Sequence, residues 1–343
     1  MMKNNDTLSY DDVLLKPQYS DIVSRSEIDL STNLGAGLTL KIPILSSPMD
    51  TVSEGGMAAA LGAAGASAIV HRYNTIPSQA RHIRSAKDRA GNINVGAAIG
   101  VTHDYIERAH AAYEAGATFI CVDVAHGHHV LMKEALHKLR ETFGDDKHIM
   151  AGNVATLEGI NTLSDWGATS ARCNIGGGSI CSTRIQTGHG MPGLQTLFEC
   201  AQTDRDIAIV ADGGIKNSGD MVKALAAGAD VVMCGSLFAG TTEAPGEIFR
   251  DKHGGIWKAY RGMASKEAQA DWRGRYSSYE GISTRIPYQG KVANILEDLV
   301  RGIRSGLSYS GARTIEELQV KAEFINQTIS GLSESRAHIL TRD

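Results

Sequence analysis

The stretch Asn174-Ile175-Gly176-Gly177-Gly178-Ser179-Ile180-Cys181-Ser182-Thr183-Arg184 holds the residues best suited to chemistry. Glycines free backbone N–H groups to surround an anion or the edge of a ligand. A cysteine on such a loop is presented rather than packed, and its thiolate is a nucleophile toward an electron-poor carbon. An isolated cysteine is more often an apolar filler. Here the nearby glycines, with the hydroxyls of Ser179 and Thr183 two residues to either side, favour a reactive thiol at Cys181. Asp212-Gly213-Gly214 carries a carboxylate into a turn, and Asp123 and Asn153 each follow an apolar run. Any of these is also compatible with a plain cap or turn. His126, His128 and His129 cluster, but no carboxylate or cysteine completes a ligand set, so they read as a polar loop rather than a metal site.

A recurring phrase shows which elements must position these residues. Ala64-Gly65-Ala66-Ser67, Ala115-Gly116-Ala117-Thr118, Trp166-Gly167-Ala168-Thr169 and Ala227-Gly228-Ala229-Asp230 each precede a short run that reads as a strand. Each reads as a helix closed by a left-handed glycine and followed by that strand. The glycines lie 51, 51 and 61 positions apart, which is room for two βα units per interval. The strand candidates are Ile42–Ser46, Ala68–His71, Val95–Ile99, Phe119–Val124, His148–Asn153, Ser170–Ile175, Ile207–Asp212 and Val231–Cys234. They alternate with amphipathic segments such as Asp104–Ala115 and Leu131–Thr142. This pattern predicts an α/β fold, a (β/α)8 TIM barrel, with its chemistry at the C-terminal strand ends. An open doubly wound sheet is the alternative, weakened because no GxGxxG fingerprint follows an early strand. Residues 261–290 are polar and glycine-containing and read as a mobile lid loop after the last strand. Helices are expected over Val292–Ser305 and Ile315–Ser330. No linker composition interrupts the chain, so residues 1–343 read as one catalytic domain.

The chain has 343 residues, a formal net charge of −4 and 42% hydrophobic residues, enough for a large core. Mild acidity argues against nucleic-acid binding. The five cysteines are odd in number, irregularly spaced and form no CxxC pair, so neither a disulfide framework nor a zinc site is suggested and a reducing cytoplasm fits best. The N-terminal residues lack a signal segment, and the longest apolar run, Met57 to Val70, is too short to span a membrane.

The glycine–cysteine loop closely resembles the signature of the IMP dehydrogenase/GMP reductase family. So do Ser46-Ser47-Pro48-Met49-Asp50-Thr51-Val52, Ala211-Asp212-Gly213-Gly214-Ile215, Met233-Cys234-Gly235-Ser236 and Tyr260-Arg261-Gly262-Met263, in the same order along the chain. The resemblance implies a (β/α)8 barrel assembled as a homotetramer and acting on a purine nucleotide monophosphate, GMP or IMP. It implies that Cys181 attacks purine C2 with help from Thr183. Asp212 would hold the ribose. Ser179, Gly214, Gly235, Ser236 and Tyr260 would cradle the phosphate, and Gly262 and Met263 would contact the base, with Ser47, Met49, Gly213 and Gly281 completing the nucleotide site. Asp123, Val124, Ala125, Asn153, Ile175 and Gly176 would face the nicotinamide cofactor, with Ser24, Arg25 and Arg72 as candidates for a 2′-phosphate. Gly176, Gly178 and Cys181 resemble a carbonyl ring for potassium, completed by Glu334 and Ser335 of a neighbouring subunit.

Both family activities form an adduct at C2, and they differ in how that adduct reacts. The dehydrogenase oxidises IMP with NAD and then brings an Arg-Tyr pair on a long flap to activate water. The reductase expels ammonia from GMP and takes hydride from NADPH. Here the segment between Met263 and Glu280 is short, and only three residues separate Tyr276 of the Arg275-Tyr276 pair from Glu280. Glu280-Gly281 resembles the reductase element whose carboxylate contacts the base and relays protons, and Asp123 to Gly127 and Ile149 to Val154 also look like the reductase. Arg172, Thr241 to Glu247 and the Ser333-Glu334-Ser335 tail look like the dehydrogenase. Arg89-Ala90-Gly91-Asn92 runs directly into the next strand, without inserted CBS modules. The flap chemistry favours an NADPH-dependent GMP reductase. The alternatives are an IMP dehydrogenase lacking CBS modules and a catalytically silent nucleotide-binding barrel.

Overall fold

Eight short parallel strands hydrogen-bond in a closed ring in a computed structural model that describes residues 7–275 and 279–335. They are β1 (Ile44–Ser46), β2 (Ser67–Val70), β3 (Gly96–Ile99), β4 (Phe119–Asp123), β5 (His148–Val154), β6 (Ser170–Cys173), β7 (Ala208–Asp212) and β8 (Val231–Cys234). The ring closes where Val232 of β8 pairs with Ile44 of β1. Each of the eight strands lies within a few residues of its expected place.

The recurring Gly phrase folds as its sequence suggests. Gly65, Gly116, Gly167 and Gly228 have φ of 93°, 100°, 100° and 104°, the left-handed region that ends a helix without a Cβ clash. The polar residue closing three of the phrases serves the preceding strand. Thr118 Oγ1 accepts the Val95 N–H at 3.0 Å, Thr169 Oγ1 the Ile149 N–H at 3.2 Å, and Asp230 Oδ2 the Ile209 N–H at 2.6 Å. One four-residue unit thus ends a helix, begins a strand and, in three of the four, satisfies a donor at the start of the neighbouring strand.

Strand alternation divides the core in two. Outward side chains join the helices in a large apolar shell. Inward ones, among them Leu45, Ile69, Phe119, Met150, Val210 and Met233, fill the barrel, which Leu34, Leu38 and Leu40 of the N-terminal hairpin plug from below. In β6 Ala171 and Cys173 join the outer shell, so Ser170 and Arg172 alternate inward. Ser170 meets the buried His148, with Oγ and Nε2 at 2.8 Å. Arg172 lies one layer higher, at the C-terminal mouth.

Two expectations for the later chain are corrected. Residues 261–290 are not a loop throughout. Strands β9 (Ile248–Arg250), β10 (Ile256–Arg261) and β11 (Ser283–Pro287) form an antiparallel sheet, and a helix spans Lys266–Arg273. The helix is capped by Ser265, whose Oγ accepts the Ala268 N–H, and it buries Ala268 and Gln269. So few apolar positions left no periodicity to read. The expected helix Ile315–Ser330 is broken into a helix at Ile315–Lys321, a strand at Phe324–Asn326 and a helix at Ile329–Glu334. Phe324–Asn326 pairs antiparallel with Val13–Leu15, and that distant partner overrides local helix preference. The helix expected at Val292–Ser305 extends to Tyr309. No helix among the described residues is long and apolar enough to cross a membrane.

Candidate active site

The C-terminal ends of the strands open into a cavity of about 340 Å³. The glycine-rich loop after β6 forms one wall, and Cys181 projects from it half-buried. The other four cysteines are buried in the barrel. Burial pushes the Cys121 thiol up to about 12 and the Cys234 thiol higher still, so both stay protonated at neutral pH. Of the five, Cys181 alone combines accessibility with a place on the cavity wall.

The loop is tied to the segment before β11. Cys181 and Gly281 form an antiparallel bridge, the Ser182 N–H donates to the Glu280 carbonyl at 2.8 Å, and the Ile282 N–H donates to the Ile180 carbonyl at 3.1 Å. This strap brings three side chains into line. Cys181 Sγ lies 3.1 Å from Thr183 Oγ1, and that hydroxyl donates to Glu280 Oε2 at 2.6 Å. The chain thiol–hydroxyl–carboxylate can move a proton between a group at the sulfur and the carboxylate.

Opposite the thiol, β7 and β8 supply a cradle of hydroxyls and backbone. Gly213 and Gly214 follow Asp212 at φ of 85° and 77°, and Gly235 and Ser236 follow β8. A Cβ at Gly235 would lie 3.0 Å from both Tyr260 Oη and Met49 Sδ, so a larger residue would have to push these two side chains aside. Ser179 Oγ and Tyr260 Oη are 3.4 Å apart. Burial holds the Tyr260 phenol above its ordinary range, against the opposing pull of Ser179, so it remains a donor at neutral pH. Ser47 and Met49 from the loop after β1 and Gly262 and Met263 after β10 close this side. Such a cradle suits a phosphate with a planar base beside it.

The floor is ionic. Arg172 Nη1 donates to Asp123 Oδ1, while its Nε and Nη2 reach Asp212 Oδ2 at 3.1 and 2.8 Å. Asn153 Nδ2 also donates to Asp212 Oδ2, at 2.7 Å, and to the Asn174 carbonyl at 3.0 Å. Arg72 Nη2 donates to the Asp123 carbonyl at 3.2 Å. Burial alone would raise the Asp123 carboxyl, but the guanidiniums of Arg172 and Arg72 overcome it and hold it below the ordinary range. Burial likewise disfavours charge on Arg172, yet the two carboxylates keep it ionised. Asp123, Val124, Ala125, Asn153, Ile175 and Gly176 all line this end.

Nearly every residue singled out from the sequence therefore meets in one cavity. Ser24 and Arg25 do not: they sit exposed at the short 3-10 turn Arg25–Glu27 and are absent from the cavity wall. Glu334 and Ser335 end the last described helix and also lie outside it. Gly178 lines the wall, its carbonyl accepting the Cys181 N–H at 3.0 Å. Tyr276 of the Arg275-Tyr276 pair lies outside the described residues. The rings of His126 and His128 are 6.5 Å apart, and no group of three or more His, Cys, Asp or Glu able to hold a metal occurs among the described residues.

Sequence reasoning gave no site role to Arg172 or Asn174, and Tyr73 went unremarked. The signal for Arg172 was present. An arginine inside a four-residue strand between Ala171 and Cys173 must either break the barrel or find carboxylates within it.

Residues 7–338 match the family described as the IMP dehydrogenase / GMP reductase domain. Among curated proteins, an inosine-5'-monophosphate dehydrogenase from Nitrosopumilus maritimus is 32% identical over 98% of this chain and 99% of its own length. One from Cryptosporidium parvum is 36% identical over 96% and 94%. Among solved structures, a cysteine-to-alanine variant of GMP reductase from Trypanosoma brucei, in complex with guanosine 5'-monophosphate, superposes with a TM-score of 0.93 at 29% identity, covering 98% of both chains. With the barrel, the five motifs and these matches in agreement, the chain belongs to the IMP dehydrogenase / GMP reductase family of purine-nucleotide oxidoreductases.

Proposed function

We propose that this chain is a GMP reductase, converting GMP to IMP and ammonia with NADPH. The observation that carries this reading is the Glu280 carboxylate 2.6 Å from Thr183 Oγ1, itself 3.1 Å from the Cys181 sulfur. The Cys181 thiol passes its proton through Thr183 to the Glu280 carboxylate, and the resulting thiolate adds to C2 of GMP. Glu280 delivers a proton through Thr183 to the exocyclic amine, which leaves as ammonia. NADPH held beside Asp123 and Asn153 would supply the hydride that this carbon takes up. Release of the sulfur then yields IMP and returns the thiolate. Until the sulfur leaves, Cys181 holds the purine in place, and the backbone strap at Gly281 keeps Glu280 over it.

The remaining residues bind and orient. Ser179, Gly214, Gly235, Ser236 and Tyr260 take the phosphate, and Asp212 takes the ribose hydroxyls. Gly262, Met263 and Gly281 face the base, with Ser47, Met49 and Gly213 beside them. The floor fits a nicotinamide, because Asp123, Val124, Ala125, Asn153, Ile175 and Gly176 lie on the same cavity as the thiol. The carbonyls of Gly176, Gly178 and Cys181 are the oxygen donors an alkali cation such as K+ prefers, and Glu334 and Ser335 of a neighbouring subunit would extend them. A homotetrameric, cytoplasmic enzyme whose whole chain serves as one catalytic domain completes the reading.

A second reading, an NAD-dependent IMP dehydrogenase, is favoured by the names of the sequence relatives and by Arg172. One assay separates the two: GMP and IMP, each with NADPH, NADP+, NADH and NAD+. NADPH consumption with GMP, releasing ammonia, is expected. NAD+ reduction with IMP and no turnover of GMP would overturn the proposal.

A further inference from the structure

The helix Lys266–Arg273 carries two residues that the reaction above does not use. Trp272 lies over Tyr73, with ring centroids 6.2 Å apart and planes at 21°. Tyr73 follows β2 and lines the cavity beside Arg72, on the side of Asp123 and Asn153. Two guanidiniums flank its ring, Arg72 at 5.5 Å and Arg273 at 5.9 Å from the centroid. They are not equivalent. Arg72 is tied to the Asp123 carbonyl at 3.2 Å and lies 3.6 Å from its carboxylate. Arg273 forms no ion pair among the described residues, and its one described interaction is with the Tyr73 ring. The acid nearest it in sequence, Asp271, is engaged by Arg261, which also holds Asp50 at 2.7 Å. The helix is thus pinned to the loop after β1, while Trp272 and Arg273 stand against Tyr73, which itself lines the cavity.

We infer that Tyr73, Trp272 and Arg273 form a binding subsite for the nicotinamide dinucleotide, Arg273 taking a phosphate group and the two aromatic rings taking a heterocycle. An aromatic pair separated by 6.2 Å is at the loose end of the range over which rings attract, so a planar ligand gains a face without displacing a tight contact. A guanidinium with no ion pair among the described residues matches a phosphate in charge and fork geometry. The location agrees: a dinucleotide whose nicotinamide end approaches Cys181 across the Asp123 floor leaves the cavity past Tyr73. The floor and the thiol lie on the barrel, but Trp272 and Arg273 lie on the segment that also delivers Glu280. Cofactor binding would therefore reinforce the placement of the carboxylate. This inference rests on the use of a nicotinamide dinucleotide, whichever family activity the chain performs.

The test is direct binding. NADPH, NADP+ and NAD+ are titrated calorimetrically into wild type, Trp272→Leu and Arg273→Gln, and GMP and IMP into the same three proteins. Both substituted side chains are at the surface, so the variants should fold, which melting curves will verify. Loss of one charge-assisted contact to phosphate predicts roughly tenfold weaker dinucleotide binding in Arg273→Gln. GMP and IMP affinities should stay within about twofold of wild type. In wild type, bound NADPH should quench fluorescence from Trp272 through its dihydronicotinamide, and Trp272→Phe should lose that part of the quenching. Unchanged dinucleotide affinity in both variants would overturn the subsite. Equal weakening of dinucleotide and mononucleotide would overturn it too, by showing that the helix only supports the fold. If wild type binds NAD+ with IMP and ignores NADPH, the reductase reading fails, whereas the subsite stands or falls on whether the variants weaken NAD+.

Discussion

Thr183 Oγ1 donates to Glu280 Oε2 at 2.6 Å across 97 residues of sequence. The contact exists because the loop after β6 and the segment before β11 share backbone hydrogen bonds on both sides of Cys181. A carboxylate so placed can serve ammonia departure, since an amine leaves far better once protonated. Glu280→Gln keeps the shape and an acceptor but cannot supply the proton. The expected result is a fall in kcat of roughly 10²–10⁴-fold with the KM for GMP little changed. A variant retaining more than a tenth of wild-type kcat would remove Glu280 from the proton path.

Cys181 supplies the covalent bond, and nothing else in the cavity can replace it. Cys181→Ala should reduce turnover below roughly one per cent of wild type while nucleotide binding persists, since the phosphate cradle is untouched. A 2-substituted purine nucleotide with a good leaving group should add its mass to the wild-type protein and not to this variant, as read by mass spectrometry of the intact chain. Modification of wild type without turnover of GMP or IMP would instead indicate a silent nucleotide-binding barrel.

Arg172 holds Asp123 and Asp212 together on the cavity floor. Arg172→Met would leave the largely buried Asp212 without its cationic partner and Asp123 with Arg72 alone, at a cost of about 3–5 kcal/mol in urea unfolding at pH 7. The pH dependence comes from Asp123, whose folded-state pKa is depressed. Its contribution is present above the unfolded carboxyl value of about 3.9 and is lost as pH falls through the lower folded value. Wild type should lose this share of stability only in strong acid. In Arg172→Met the depression shrinks, so the variant's deficit should narrow as pH drops from 7 toward 3. A deficit independent of pH would show that Arg172 acts through packing alone.

These residues also mark what was legible in the sequence and what was not. The barrel was legible because each strand is short, apolar and preceded by a glycine that only a left-handed cap explains. The thiol was legible because glycines surround it. Arg172 was not given a role because its partners end strands β4 and β7, 49 and 40 residues away, and the inward direction of its side chain depends on strand register. The antiparallel strand pairing after β8 and the break at Ala322 were hidden for a similar reason: each depends on a distant partner. The helix Lys266–Arg273 was missed because only Ala268 and Gln269 are buried on it, leaving no apolar stripe.

The same logic exposes one residue at odds with its own pattern. Asp230 performs the task that Thr118 and Thr169 perform with a hydroxyl, accepting a backbone N–H at the start of the neighbouring strand. A carboxylate there is half-buried, and the loss of water around it raises its pKa to about 6 against the partial relief of the Ile209 N–H. Because the folded value exceeds the unfolded one of about 3.9, the folded state holds the proton more tightly between them. Stability from this group is therefore full below about pH 4 and is lost as pH rises through about 6. Asp230→Thr copies the hydroxyl used elsewhere in the repeat and removes the charge. It should stabilise the protein by about 1–2 kcal/mol at pH 8, with no gain at pH 4, in parallel urea titrations. Destabilisation at pH 8 would mean that the ionised carboxylate at Asp230 makes a net favourable contribution that a hydroxyl cannot match.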